Sequence, residues 1–183
     1  MHREGHPVVA VASDKPDARA LERAAGAGVA TGVFPRADFA SREERDTAIA
    51  GWLRAAGVEL VVLAGYMQLL TPAFLGAFPQ RVINVHPSLL PAFPGVRPIA
   101  DAMAYGAKVT GVTVHFVDEG VDTGAIILQR ALDIGDTATA DELHDRLRPL
   151  EHALLPDAVR HVAAGRVSVD PANPRRVVVA DES

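Results

Sequence analysis

Apolar residues in this chain come in short runs, separated by longer segments in which they recur every three or four positions. Val8-Val9-Ala10-Val11-Ala12 is a continuous apolar run of the kind carried by a strand buried on both faces. Residues 17–27 have helical spacing, with Pro16 near the start and Gly26 and Gly28 near the end. Residues 31–34 read as a second short strand. Ser41 is a favourable N-cap followed by Glu43 and Glu44 at the positive end of the helix dipole. A helix starting there turns Ile49, Trp52 and Leu53 inward and stops at Gly57. Residues 58–64, between Gly57 and Gly65, give a further buried strand. A short helix over 71–77 has Pro72 at its first position, and the strand Val82-Ile83-Asn84-Val85-His86 follows. This alternation implies right-handed crossovers and an α/β fold with a mostly parallel sheet.

The second half changes pattern. Pro87, Pro91 and Pro94 hold an extended loop after His86, and residues 96–106 contain a helix. Residues 109–117 alternate, with Gly111, Thr113 and His115 on one face and Val112, Val114 and Phe116 on the other. The turn Asp118-Glu119-Gly120-Val121-Asp122-Thr123-Gly124 leads into a strand over 125–129, giving a β-hairpin at the far edge of the sheet. Thr139-Ala140-Asp141-Glu142 has the spacing of a capping box. Its helix carries Leu143, Leu147, Leu150, Leu154 and Val162 at core-facing spacings, with a kink expected at Pro156. Beyond about residue 167 the tail adds one edge strand or stays loose. No repeat and no domain-sized linker divides residues 1–183, so a single domain is expected.

Composition narrows the function classes. The 183 residues suit one core-forming domain. A hydrophobic share of 49% and a charged share of 22% exclude a disordered chain. With a formal net charge of −5 and no basic stripe, neither nucleic acid nor a membrane is an expected partner, whereas small anionic substrates need only local positive charge. The absence of cysteine removes disulfides, thiolate metal sites and cysteine nucleophiles together, and favours a cytoplasmic protein. No apolar run reaches the ~18–20 residues that span a bilayer. Residues 118–124 offer carboxylates but lack the D-x-D-x-D-G ladder of a calcium loop, so no metal is expected.

Candidate chemistry concentrates at the end of the 82–86 strand. Its period of two points Asn84 and His86 to one face. A primary amide can donate to a developing oxyanion, and an imidazole can move a proton near neutral pH. The carboxylate of Asp122 can hold that imidazole in one tautomer. The same three residues also fit a purely structural role, with Asn84 and His86 bonded to loop backbone and Asp122 chosen for its turn. His115 and Thr113 face the same region by alternation, as site lining or as satisfied structural groups.

The run Asn84-Val85-His86-Pro87-Ser88-Leu89-Leu90-Pro91-Ala92-Phe93-Pro94-Gly95, with Thr110-Gly111-Val112-Thr113-Val114-His115-Phe116-Val117-Asp118 and Gly120-Val121-Asp122-Thr123-Gly124, resembles the folate-dependent formyltransferases. Within that family it is most similar to the members that act on glycinamide ribonucleotide in purine biosynthesis. The resemblance covers residues 8–165 and implies a Rossmann-like domain. It also implies formyl transfer from 10-formyltetrahydrofolate to a primary amine without a metal. It casts His86 as the catalytic histidine, Asn84 as the amide on the formyl oxygen and Asp122 as the support of the histidine. Met67, Gln68, Leu69 and Leu70 fall where the family contacts the pterin, and would otherwise be a helix-approach loop with core leucines. Arg42 matches a folate-binding arginine. Glu151, on one helical face with His144 and Arg148, matches a substrate contact or else belongs to a solvated stripe. His115 is expected at the substrate. Small molecules are the expected partners, and the oligomeric state a monomer or homodimer.

Two departures from the pattern stand out. The family opens with a strand, a glycine-rich turn that holds phosphate on backbone N–H groups, and a helix. Here residues 1–7 correspond to about the end of that helix, so the N-terminal βα unit is expected to be missing, through a translation start placed too far downstream. Val96-Arg97-Pro98-Ile99 replaces the histidine usual after Pro-Gly; its Arg-Pro is similar to formyltetrahydrofolate deformylase and its Pro-Ile to formyltransferases acting on methionyl-tRNA. The alternatives are therefore deformylation, another amine acceptor, or a non-catalytic folate-binding fragment.

Overall fold

In the computed structural model, described over residues 7–135 and 139–180, the elements follow the predicted order. The expectations for residues 1–6 and for the last three residues of the tail lie outside the described residues. The order is β1 (Ala10–Ser13), α1 (Arg19–Gly26), β2 (Ala30–Val33), α2 (Arg42–Ala55), β3 (Val61–Leu63), α3 (Pro72–Ala77), β4 (Val82–His86), α4 (Pro98–Tyr105), β5 (Val109–Phe116), β6 (Ile126–Asp133), α5 (Ala140–Ala163), β7 (Val167–Asp170) and β8 (Asn173–Val179). The α/β class holds, and the sheet is mixed. β1 and β2 pair in parallel, β3-β4-β5-β6 form a four-stranded sheet in that order, and β5 runs antiparallel to both of its neighbours, β4 and β6. The described residues gather into two compact units, one within 1–61 and 70–81, the other within 62–69 and 82–183.

In the first unit α1 packs on β1 and β2, burying Leu21 and Ala24. Ser41 caps α2 as its sequence predicts, its hydroxyl accepting the Glu44 N–H at 3.0 Å. Leu53 is buried while Trp52 is half-buried and meets Phe34 edge-on at 5.7 Å. α2 and α3 are joined through a buried charge pair that the hydrophobic pattern does not reveal. The Asp46 carboxylate lies 3.3 Å from the Arg45 guanidinium and accepts the Thr71 N–H at 2.8 Å. Thr71 is the N-cap of α3 and makes no side-chain cap bond, so Asp46 fixes the entry to that helix from outside it.

The second unit is built around β5, every residue of which from Thr110 to Phe116 is buried. Its alternation therefore separates a polar interior face from an apolar one, and not an inside from an outside. α5 covers β5 and β6 with Leu143 and Leu147, both fully buried. The capping box forms, Thr139 accepting from Glu142 N–H and Glu142 accepting from Thr139 N–H. α5 continues through Pro149 and Pro156 as one helix of 24 residues. Among the described residues no helix is long and apolar enough to cross a membrane.

Three elements differ clearly from expectation. β6 runs over Ile126–Asp133 and not 125–129, because its ladder with β5 continues to Val109. β3 covers residues 61–63 and not 58–64, because as the last strand in its sheet it is laddered on one side alone. The tail forms two strands. Val167 and Val169 pair with Val179 and Val177, and the intervening turn is closed by Asp170 Oδ1, which accepts the Ala172 N–H at 2.8 Å. Packing predicts that Leu147→Ala lowers unfolding free energy by about 2–5 kcal/mol, since a fully buried leucine leaves a cavity under α5. Urea titration of the variant and the parent chain checks the value.

Candidate active site

The antiparallel register sets Asn84 directly across from His115 and His86 across from Thr113, so four polar side chains share one face of β4 and β5. His86 and His115 are buried, and Asn84 is half-buried. The Asn84 amide nitrogen lies 3.4 Å from His115 Nε2. Pairing of β5 with β6 shifts at His115: Val114 faces Leu128 while His115 faces Ile126, leaving Ile127 as an extra residue. Such a bulge re-aims the neighbouring side chains and bends the strand.

The proline loop that follows β4 is tied down by β5 and β6. Thr113 Oγ1 donates to Ser88 O at 2.7 Å and accepts the Leu90 N–H at 3.1 Å. Gln129 Nε2 donates to Leu90 O at 2.8 Å and to Thr113 Oγ1 at 2.9 Å. The buried Ser88 hydroxyl donates to Ala92 O at 2.6 Å. Leu89 lies so close to Gly111 that an added Cβ there would come within 2.6 Å of it, and within 2.2 Å of the Arg130 carbonyl oxygen. Thr113, which alternation turns toward this region, is the anchor of the loop. The loop in turn presents two backbone groups, the Phe93 carbonyl and the Gly95 N–H.

The carboxylate of Asp122 collects what these segments offer. Its Oδ2 accepts the Gly95 N–H at 2.8 Å and lies 3.4 Å from His86 Nδ1, while Oδ1 lies 3.6 Å from His115 Nε2. Asp122 has φ of 52°, a left-handed conformation that aspartate tolerates better than most residues. The turn closes at Gly124, where a Cβ would stand 1.8 Å from the Phe116 carbonyl oxygen. Burial alone would raise the Asp122 carboxyl. The contact with His115, the Gly95 N–H and the charges that His86 and His115 carry when protonated outweigh it and hold the carboxyl below its ordinary value.

Each imidazole has one nitrogen committed to a backbone carbonyl. His86 Nε2 is 2.9 Å from Phe93 O, and His115 Nδ1 is 2.8 Å from Phe116 O. A carbonyl only accepts, so those nitrogens carry the hydrogen and the tautomers are set. The other nitrogens, His86 Nδ1 and His115 Nε2, are left with lone pairs directed toward the two oxygens of Asp122. At 3.4 Å and 3.6 Å these contacts become attractive when the ring takes up a second proton. The cluster can therefore accept a proton and stabilise the resulting imidazolium, beside an amide able to donate to an anion.

The other predicted residues sit elsewhere. Met67 is 72% exposed and Leu69 43% exposed, unusual for apolar side chains that only approach a helix, while Leu70 is buried and Gln68 half-buried. Arg42 opens α2 and lines a cavity of about 210 Å³ together with Arg36, Phe39, Ala40, Ser41 and Arg45, in the first unit. On α5 Glu151 is half-buried, His144 is exposed, and Arg148 pairs with Asp145 at 3.2 Å. The pattern reading brings Asn84, His86, His115 and Asp122 together correctly. It misses the backbone partners Phe93 O, Phe116 O and Gly95 N–H, for which Pro94-Gly95 at the loop's end is the one available signal.

Residues 1–159 match the family model described as Formyl transferase. The chain is similar to the trifunctional purine biosynthetic protein adenosine-3 of Drosophila melanogaster, 43% identical over 164 residues, which are 90% of this chain and 12% of that protein's length. It is 46% identical to phosphoribosylglycinamide formyltransferase of Mycobacterium tuberculosis (strain ATCC 25618 / H37Rv) over 162 residues, 88% of this chain and 75% of the relative. Among solved structures, glycinamide ribonucleotide transformylase 1 from Symbiobacterium toebii superposes with a TM-score of 0.93 at 46% identity, covering 98% of this chain and 85% of that one.

The lowered carboxyl of Asp122 links to stability with a definite sign. A folded-state value below the unfolded one contributes stability above the unfolded value, lost as pH falls through the folded one. Thermal melts between roughly pH 5 and pH 3 are expected to show a smaller acid loss in Asp122→Asn than in the parent chain. Equal losses would show that Asp122 contributes nothing to acid unfolding.

Proposed function

The chain belongs to the formyl transferase family, and on that premise we propose that it transfers the formyl group of 10-formyltetrahydrofolate to the primary amine of glycinamide ribonucleotide, a step of purine biosynthesis. The observation that carries the reading is the convergence of His86 and His115 on the ionised carboxylate of Asp122, with the Asn84 amide beside His115. The names of its relatives agree with it. These are small-molecule substrates, and the reading assigns the reaction to the cytoplasm, in a monomer or homodimer.

The folate co-substrate supplies the formyl carbon that the amine attacks. Asn84 Nδ2 donates to the formyl oxygen as negative charge grows on it, the one place in the cluster with a neutral donor free of a committed backbone partner. His86 takes the surplus proton from the amine at Nδ1, because Nε2 is held by Phe93 O. Asp122 Oδ2 then faces a cation and steadies it. Water returns the proton to the departing folate nitrogen, so the reaction moves one formyl group with no net gain or loss of protons between the two nitrogens. His115 holds Asp122 from the other side and faces the amide of Asn84. Met67 and Leu69, with Gln68 and Leu70 beside them, supply an apolar surface suited to the pterin ring. Glu151 supplies a carboxylate for the amine substrate.

Formyl transfer assayed with and without glycinamide ribonucleotide tests the reading. Loss of the formyl group should require the amine, and release of formate in its absence would instead assign a hydrolase. His86→Ala is expected to lower kcat by roughly 10²–10⁴ while equilibrium folate binding survives. Unchanged turnover in that variant would remove His86 from the proposed chemistry.

A further inference from the structure

The turn carrying Asp122 is held from a direction that the catalytic cluster does not account for. Arg175, on β8 of the C-terminal hairpin, donates from Nη1 to the Thr123 carbonyl at 2.8 Å, across 52 positions of sequence. β8 packs along β6, the strand that the turn feeds, so the hairpin lies against the same hinge. Within the turn, Asp118 Oδ1 accepts from the Thr123 hydroxyl at 2.7 Å and from the Gly120 N–H at 3.1 Å. Thr123 is thus fixed twice, by its side chain to Asp118 and by its carbonyl to Arg175, at the residue next to one whose φ is 52°.

We propose that Arg175 is a positioning residue for the reaction, and that the hairpin β7–β8 serves as a clamp on the Asp122 turn. The inference rests on the role given to Asp122 above. A left-handed aspartate is held against a backbone preference, so the turn relaxes if its outer anchor is lost. Relaxation withdraws Oδ2 from the Gly95 N–H and from His86 Nδ1, and Oδ1 from His115 Nε2. The hairpin lies beyond the residues matched by the family model, which end at 159.

The groups bearing on Asp122 define the expected pH behaviour. They are His86 from β4, His115 from β5 and the Gly95 N–H from the proline loop, with Asp118 and Glu119 exposed on the turn itself and Arg175 reaching in from β8. Loosening the turn removes the hydrogen bonds that favour the ionised carboxyl, so the Asp122 carboxyl returns toward its ordinary value.

Arg175→Ala and Arg175→Lys in the full chain test the clamp by two readouts. Amide hydrogen exchange at Gly95 reports the Asp122 contact without any reliance on activity. Formyl transfer reports its effect on the reaction. Arg175→Ala is expected to speed exchange at Gly95 and to lower kcat roughly three- to tenfold. KM and Tm are expected to stay near those of the parent. Arg175→Lys, which keeps one donor in reach, is expected to recover part of each. Unchanged Gly95 exchange in Arg175→Ala would overturn the clamp, as would a fall in kcat that only tracks a fall in Tm. Faster exchange in a chain whose parent shows no formyl transfer would support the clamp and count against the proposed function instead.

Discussion

An ionised carboxylate in a half-buried position needs compensation from its surroundings, and at Asp122 that need organises everything nearby. Burial pushes the carboxyl toward its neutral form. Holding it ionised takes a backbone N–H from the proline loop, an imidazole from β4 and another from β5, delivered together. Those three groups come from separate stretches of chain. The register of β4 on β5, the straps on the proline loop and the bulge in β6 can each be read as a condition for their meeting. The carboxylate sits on a left-handed backbone, so even its own turn contributes by accepting an unfavourable conformation.

The site is preorganised through main chain as much as through side chains. Phe93 O and Phe116 O fix which nitrogen of each imidazole bears hydrogen, and this fixes which lone pair is available. Neither ring needs to rotate or exchange tautomers to take up a proton, which lowers the reorganisation that accompanies proton transfer. The Thr113 hydroxyl, with three partners, holds the loop that supplies one of those carbonyls. In this way a buried hydroxyl that touches no catalytic group still sets the state of one.

Much of this was legible in the sequence where local rules apply. The Ser41 cap, the Thr139–Glu142 capping box, the Pro72 helix start and the alternation of β5 follow from near-neighbour chemistry, and each forms. Facing by a period of two was enough to group Asn84 with His86 and His115 with Thr113. Distinguishing the roles of His115 and Thr113 was beyond it, because both point the same way and differ only in what the loop brings to them. The Arg45–Asp46–Thr71 link was also hidden, since two charged residues on a helix read as solvent-facing until another helix arrives. The tail was misjudged for a related reason: its valines alternate weakly, and the hairpin is fixed by a turn and by packing on β6.

The extra residue in β6 has a consequence for how this stretch tolerates change. Ile127 sits unpaired between partners of Val114 and His115, and normal alternation resumes beyond it to place Gln129 beside Thr113. The segment from the Asp122 turn to Gln129 is therefore counted in parity and not in length. One residue more or fewer would hand the strap on the proline loop to a side chain facing the other way, while two would keep the facing and distort the turn. A mutational path through this region must change in coordinated pairs or not at all, so it is expected to keep its length while the loops around it drift.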